Sequence, residues 1–256
     1  MERGSRSASW VTHLLITLVA IVLGSRFGWP RQLWAQGGPM ILSLGDDSYI
    51  TWSELVSRTG AVLKRELGEL SLMDFSVLVL SNISYTSLPD PVRDGLQEFL
   101  ARGGSVLFTG GDRSYGSGGY VGTQLADLLP LRPSRDDWLP HPFGPTLILQ
   151  PGHPILKGIE IPTMAFFNEL DLNVGGVEIA RYVRTQRLPH PLIAERSSDA
   201  GTILAVALDL TLTGEWKDRG RFAQNCVAYL LQQSRIVPPQ KRSNLHRGAL
   251  STCCAT

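Results

Sequence analysis

Apolar residues follow two rhythms along this chain. From Met40 to Thr109, short and nearly continuous apolar runs alternate with longer stretches in which an apolar residue returns after three or four positions. Runs of the first kind suit strands covered on both faces, and the second kind suits helices with one buried side. Met40–Leu44 reads as a first strand and ends in Gly45-Asp46-Asp47. Thr51-Trp52-Ser53-Glu54 has the spacing of a capping box. Leu55, Thr59, Val62, Leu63 and Leu67 then carry one helix face as far as Gly68, a natural stop. Phe75–Leu80 is the second strand. Asp90-Pro91 opens a helix, the acid as cap and the proline in the first turn, with Val92, Leu96, Phe99 and Leu100 on one side and Gly103-Gly104 behind it. Ser105–Thr109 is the third strand. It runs into the loop Gly110-Gly111-Asp112-Arg113-Ser114-Tyr115-Gly116-Ser117-Gly118-Gly119, after which Tyr120–Leu129 reads as a short helix ended by Pro130 and Pro133. Such alternation predicts an α/β fold with a mostly parallel central sheet joined by right-handed crossovers.

The second half is less regular. Leu147–Leu149 is short and apolar, and Gly152-His153-Pro154 reads as a turn. Ala165–Leu172 and Val177–Val183 read as strands or extensions of the sheet. Leu192–Glu195 and Thr202–Leu208 read as a hairpin turned at Ser197–Gly201, and a last helix carries Phe222, Cys226, Tyr229 and Leu230 on one face. Beyond Ile236 the chain is polar and basic and reads as a mobile tail. No internal repeat is found.

Composition narrows the classes. The 256 residues are 43% hydrophobic with a formal net charge of +1. That is enough chain for one α/β domain with its own core. Near neutrality supplies no electrostatic pull toward nucleic acid. Three cysteines do not make a disulfide framework. Cys226 reads as core, whereas Cys253 and Cys254 stand side by side near the end of the tail. At the other end, Arg3 and Arg6 precede the apolar run Val11–Leu23, which is shorter than the ~20 residues of a typical membrane helix. A basic start and a short apolar core are the pattern of an export signal, with cleavage near Ala35–Gly37, or of an uncleaved anchor. The chain therefore divides into a signal or anchor (1–36), one α/β domain (38–233) and a polar tail (234–256). The expected location is outside the cytoplasm, periplasmic or held at the membrane by the N-terminal segment. Cytosolic nucleotide cofactors then become poor candidates, and no cofactor is implied.

The run from Phe75 to Leu131, together with Gly152-His153-Pro154-Ile155-Leu156-Lys157-Gly158-Ile159, resembles the glutamine amidotransferase-like domains of exported or membrane-anchored bacterial proteins, often found beside von Willebrand factor A modules. The resemblance spans about Met40 to Gln232 and implies a flavodoxin-like three-layer sandwich of the class I glutamine amidotransferase superfamily. It also implies where chemistry would sit: a cysteine on a strand-to-helix turn, served by a later His and Glu. The matching turn here is Thr109-Gly110-Gly111-Asp112 and has no thiol. The matching later segment, Leu208-Asp209-Leu210, has neither His nor Glu. Without a thiolate no thioester can form.

Candidate chemistry then rests on the loop and its surroundings. Gly110, Gly111, Asp112, Arg113, Ser114 and Tyr115, with Asp46, are the expected ligand-binding residues. Backbone N–H groups of the loop can cradle an anion beside Arg113, or the glycines can simply allow a sharp, close-packed turn. The loop is neither a Walker A sequence nor a full dinucleotide fingerprint, because Val121 occupies the third glycine position counted from Gly116. Asp46, Asp47, Asp112 and Asp209 fall at predicted strand ends, where carboxylates can hold a hard cation or cap and solvate loops. No His-x-His or His-Glu-x-x-His spacing occurs, so no metal site is expected. Asp112 and His153 are the weak catalytic candidates, Glu169 and Asp171 could pair as acids, and Ser114 lacks a nucleophile elbow. Tyr115, Tyr120, Trp138, Phe143, Phe166 and Phe167 line a groove or cover the sheet edge. The favoured expectation is an exported, non-catalytic domain that binds a protein of the cell envelope or a small ligand at the C-terminal edge of its sheet. The alternative is a hydrolase using Asp112, Glu169 and His153.

Overall fold

A computed structural model describes residues 37–236, except 136, 141–144, 164–165, 184–189, 199–200 and 214. The expected export segment, the tail beyond Ile236 with Cys253 and Cys254, and also Phe143, lie outside the described residues.

Eight strands form one sheet in the order β2-β1-β3-β4-β12-β11-β10-β7. In chain order the strands are β1 (Met40–Gly45), β2 (Val62–Lys64), β3 (Val77–Ser81), β4 (Ser105–Thr109), β5 (Leu131–Arg132), β6 (Trp138–Pro140), β7 (Thr146–Ile148), β8 (Phe166–Asn168), β9 (Asp171–Leu172), β10 (Val177–Tyr182), β11 (His190–Ser197) and β12 (Thr202–Val206). The helices are α1 (Trp52–Thr59), α2 (Asp90–Ala101), α3 (Gln124–Leu128) and α4 (Arg219–Gln233). Strands β2, β1, β3, β4 and β12 are mutually parallel, while β11, β10 and β7 extend the sheet antiparallel. β3 and β4 are buried at every residue, which is why their sequences read as unbroken apolar runs. From β1 the chain crosses through α1 in one direction along the sheet, and from β3 through α2 in the other. Right-handed crossovers then place α1 and α2 on opposite faces. α4 packs with α1 against β3, β4 and β12, and α2 packs with α3. The result is a flavodoxin-like three-layer α/β sandwich. Burying each large apolar side chain of its core, such as Leu78, Phe108 or Leu204, is worth about 1.5–3 kcal/mol.

Several boundaries differ from the sequence reading. The first helix ends at Thr59, because Gly60 takes the left-handed conformation (φ 69°) and its N–H closes on Val56 O. Val62–Lys64 then pairs with β1 as a strand instead of continuing the helix. The Thr51 side chain makes no cap bond, so the capping box does not form; the Trp52 indole is instead anchored on Asp47 at 2.9 Å. α2 starts one residue earlier than expected, with Pro89 as its cap. Tyr120 precedes α3, which is capped by the Thr123 hydroxyl accepting the Ala126 N–H. Ala165–Leu172 is interrupted: β8 pairs with β6, and β9 with β5, outside the main sheet. Past α4 the chain still follows the domain, since Arg235 N–H bonds Gly103 O and the Ser76 hydroxyl bonds Ile236 O.

Candidate functional site

The parallel strands β1, β3, β4 and β12 end along one edge, the place where an open α/β sheet presents its site. The loop after β4 dominates that edge. Three side chains from elsewhere hold it. The Asn168 carbonyl oxygen accepts the Gly111 N–H at 2.9 Å, and its amide donates to Gly111 O at 3.2 Å and to Asp137 at 3.1 Å. Asn82 accepts the Arg113 N–H at 2.8 Å and donates to Asp112 at 3.0 Å. Asp137 accepts the N–H groups of Gly116 (2.7 Å), Ser117 and Ser134. Asn82 reaches this position with φ 43°, a conformation that asparagine tolerates better than most residues. Gly111 (φ 143°) stands where a Cβ would lie 2.2 Å from the Asn82 side-chain oxygen, so glycine is required there.

The loop is therefore a closed knot. Its N–H groups at Gly111, Arg113, Gly116 and Ser117 serve Asn82, Asn168 and Asp137. Those at Gly110, Ser114, Gly118 and Gly119 serve carbonyls of the chain. Of the residues expected to meet a ligand, Gly110, Gly111, Ser114 and Tyr115 are buried. The Ser114 hydroxyl is committed to Thr109 O at 2.7 Å, and the Tyr115 hydroxyl to Val206 O at 3.2 Å. Asp112 and Arg113 are exposed at the tip. The aromatics resolve in the same way. Tyr115, Tyr120 and Phe167 are core, with Phe108 edge-on to both tyrosines, and Trp138 stacks on Phe166. Tyr115, Tyr120 and Phe167 thus cover the sheet edge, while Trp138 and Phe166 stay half-buried.

The four aspartates do not gather. Asp47 is buried among Ser43, Trp52 and Arg65 (2.6 Å) and fastens α1 to β1. Asp46 caps Ser48 N–H at 3.2 Å. Asp209 accepts the Thr211 N–H (2.8 Å) and hydroxyl (2.5 Å). Burial raises its pKa, and the Asp112 charge adds to the rise, which places Asp112 and Asp209 on neighbouring ground. Burial likewise raises Asp137, against the hydrogen bonds from Gly116, Asn168, Ser117 and Ser134. Among the described residues, no three His, Cys, Asp or Glu side chains converge.

Asp112, Glu169 and His153 also take separate partners. His153 caps the turn Pro154–Leu156: its Nδ1 accepts the Ile155 N–H at 3.4 Å, so the neutral ring carries its proton on Nε2, toward Glu195 at 3.4 Å. Tyr229 donates to the same Glu195 oxygen at 2.8 Å and packs edge-on against the imidazole. Glu169 faces His190 instead, and Asp171 pairs with Arg132. His153 therefore serves a clamp between a turn, β11 and α4.

That clamp is acid-sensitive. The hydrogen bond from His153, followed by that from Tyr229, holds Glu195 below the usual carboxylate range against the effect of burial. A depressed folded-state value means that the ionised carboxylate stabilises the fold above its unfolded value of about pH 4.3, and that this stability is lost as pH falls through the folded value. His153→Ala removes the largest lowering cause and leaves burial, so acid unfolding followed by tryptophan fluorescence should begin at a higher pH than in the parent.

The thiol question has a direct answer among the described residues. Cys226 is wholly buried in α4, and burial pushes its pKa well up. Such a thiol is neither a thiolate nor accessible. The anchors Asn82, Asn168 and Asp137 escaped the sequence reading. For Asn82 and Asn168 the only sequence signal is a polar residue directly after or at the end of an apolar strand, as in Ser81-Asn82 and Phe167-Asn168, and Asp137, just before β6, carries none.

No protein-family model matches the chain, and no curated protein matches its sequence. Solved structures do match. Cytoplasmic protein STM1381 from Salmonella typhimurium LT2 superposes with a TM-score of 0.59 at 17% identity, over 75% of this chain and 99% of its own. Cytoplasmic protein STM3548 from Salmonella typhimurium gives 0.58 at 16%, over 75% and 98%. A ThuA-like protein from Bacteroides uniformis gives 0.55 at 11%, over 81% and 97%. At such identities the likeness is one of fold. ThuA-like proteins share the glutamine amidotransferase-like fold, and that is the fold of this chain.

Proposed function

We propose that this domain is a non-catalytic binding module, exported to the cell envelope, that offers the tip of its loop after β4 to a protein partner. The observation that supports this reading most is the state of the strand-to-helix turn. Glycines stand where a nucleophile would be, the Thr109 and Ser114 hydroxyls are committed to Ser81 and to the Thr109 carbonyl, and three buried side chains hold the loop rigid while Asp112 and Arg113 project. A pre-ordered loop loses little conformational freedom on binding, which favours recognition over chemistry. Export rests on the basic, apolar segment before residue 37. Among the described residues, no helix is long and apolar enough to cross a membrane. No small-molecule cofactor enters this reading.

The test has two arms on the purified full chain. Incubation with glutamine should release no ammonia above the buffer background; release that depends on the protein would overturn the reading. Site-specific cross-linking from position 112 or 113 in living cells should capture an envelope protein, and Arg113→Glu should abolish the product while leaving the thermal midpoint unchanged.

A further inference from the structure

The chain enters and leaves the α/β domain at one place, and this carries an inference beyond loop recognition. Strands β1, β3 and β4 begin side by side. Val62 N–H bonds Pro39 O and Ser76 N–H bonds Met40 O, both at 2.8 Å, and Ser105 N–H bonds Ser76 O at 3.1 Å. The end of the domain returns to the same line: Arg235 N–H bonds Gly103 O at 2.8 Å, and the Ser76 hydroxyl bonds Ile236 O at 3.2 Å. Entry and exit are thus one or two strand spacings apart, about 5–10 Å. The loop after β4 lies at the other end of these strands. β3 and β4 have five residues each, which sets the two edges roughly 16 Å apart.

Charge is divided along the same lines. Residues 37–236 carry 22 acidic and 17 basic side chains. The chain after Ile236 carries Lys241, Arg242 and Arg247 and no acid, and the chain before Gly37 carries four arginines and one glutamate around its apolar run. An anionic surface repels the net negative body and attracts both basic ends.

We propose that the N-terminal edge of the sheet faces a bilayer with anionic headgroups, held there by the apolar segment before residue 37 and by the basic residues of the tail. The inference takes the membrane from the export reading and adds an orientation. The first tie alone is loose, since the 14 residues from Leu23 to Gly37 reach up to about 50 Å. The second is short: Lys241 and Arg242 stand five and six residues beyond Ile236, within about 20 Å of the edge. Their attraction to headgroup phosphates draws that edge down. Asp112 and Arg113 then point away from the bilayer, where an envelope protein can reach them.

The full chain in vesicles of phosphatidylcholine and phosphatidylglycerol, with a nitroxide on the lipid headgroups, tests this. Cys253→Ser and Cys254→Ser leave only the wholly buried Cys226. A fluorophore can then be placed through Gln233→Cys, at the proposed membrane edge, or Val121→Cys, behind the loop, both at exposed positions. Quenching at 233 should exceed that at 121 by more than about threefold. It should fall to the level of 121 when Lys241→Glu, Arg242→Glu and Arg247→Glu are combined, and in vesicles of phosphatidylcholine alone. Equal quenching at the two positions in the chain with its native tail would overturn the proposal. Strong quenching at 233 that survives the charge reversal would overturn it too, because the tail would then be folded on the acidic domain instead of the bilayer. Failure of export, read by fractionating cells, is a separate result and counts against the envelope binding role.

Discussion

Replacing Asn168 by alanine should lower the stability of the domain by about 3–5 kcal/mol and free the loop after β4. Asn168 is fully buried and serves three groups at once: the N–H and the carbonyl of Gly111, and the Asp137 carboxylate. Alanine leaves all three without that partner, and each orphaned buried group costs about 1–3 kcal/mol. The Asp137 carboxylate suffers most, since burial already raises its pKa and the Asn168 hydrogen bond is one of the causes opposing that rise. Urea unfolding measures the loss, which is a large share of the 5–15 kcal/mol that holds a typical domain together. Limited proteolysis should find new cleavage between residues 110 and 119. An Asn168→Ala variant with parental stability would show that the loop does not depend on its anchors.

Phe108→Ala is the second large effect, expected at about 3–5 kcal/mol. Phe108 lies on β4 directly beneath the loop, wholly buried, with its ring 4.8 Å from Tyr115 and 5.0 Å from Tyr120, edge-on to both. Removing the ring opens a cavity and also loses two aromatic contacts worth about 0.5–1.5 kcal/mol each. The two tyrosines anchor the loop through Val206 O and Ile83 O, so their rings cannot follow into the space without giving up those bonds. Phe108→Leu keeps most of the volume and should cost markedly less. Comparing the urea midpoints of the two variants at unchanged slope separates cavity formation from a general loosening.

The sheet's centre was legible because strands covered on both faces leave little room for polar residues: β3 and β4 stood out as apolar runs, and α2 as the periodic stretch between them. The end of α1 was not. Val62 and Leu63 continue the helical spacing from Leu55, yet they also fit a short strand, and the choice was made by Gly60, a residue without a side chain to signal it. At the candidate site, glycines announced the loop but not what holds it. Its anchors lie 20 to 57 positions away and act through side-chain hydrogen bonds, which leave no local pattern. The carboxylates were misjudged in the same way. Glu169 and Asp171 are close in sequence, but the break between β8 and β9 sends one to His190 and the other to Arg132.

The outermost strands of the large sheet, β2 and β7, are three residues each. An incoming extended chain would find only a few backbone donors and acceptors to grip on either flank, and on the β2 side it would also meet Lys64 and Arg65. Brevity at both margins thus guards the layer against stacking sideways into ribbons of like copies. A lengthened β7 would remove that guard on one flank.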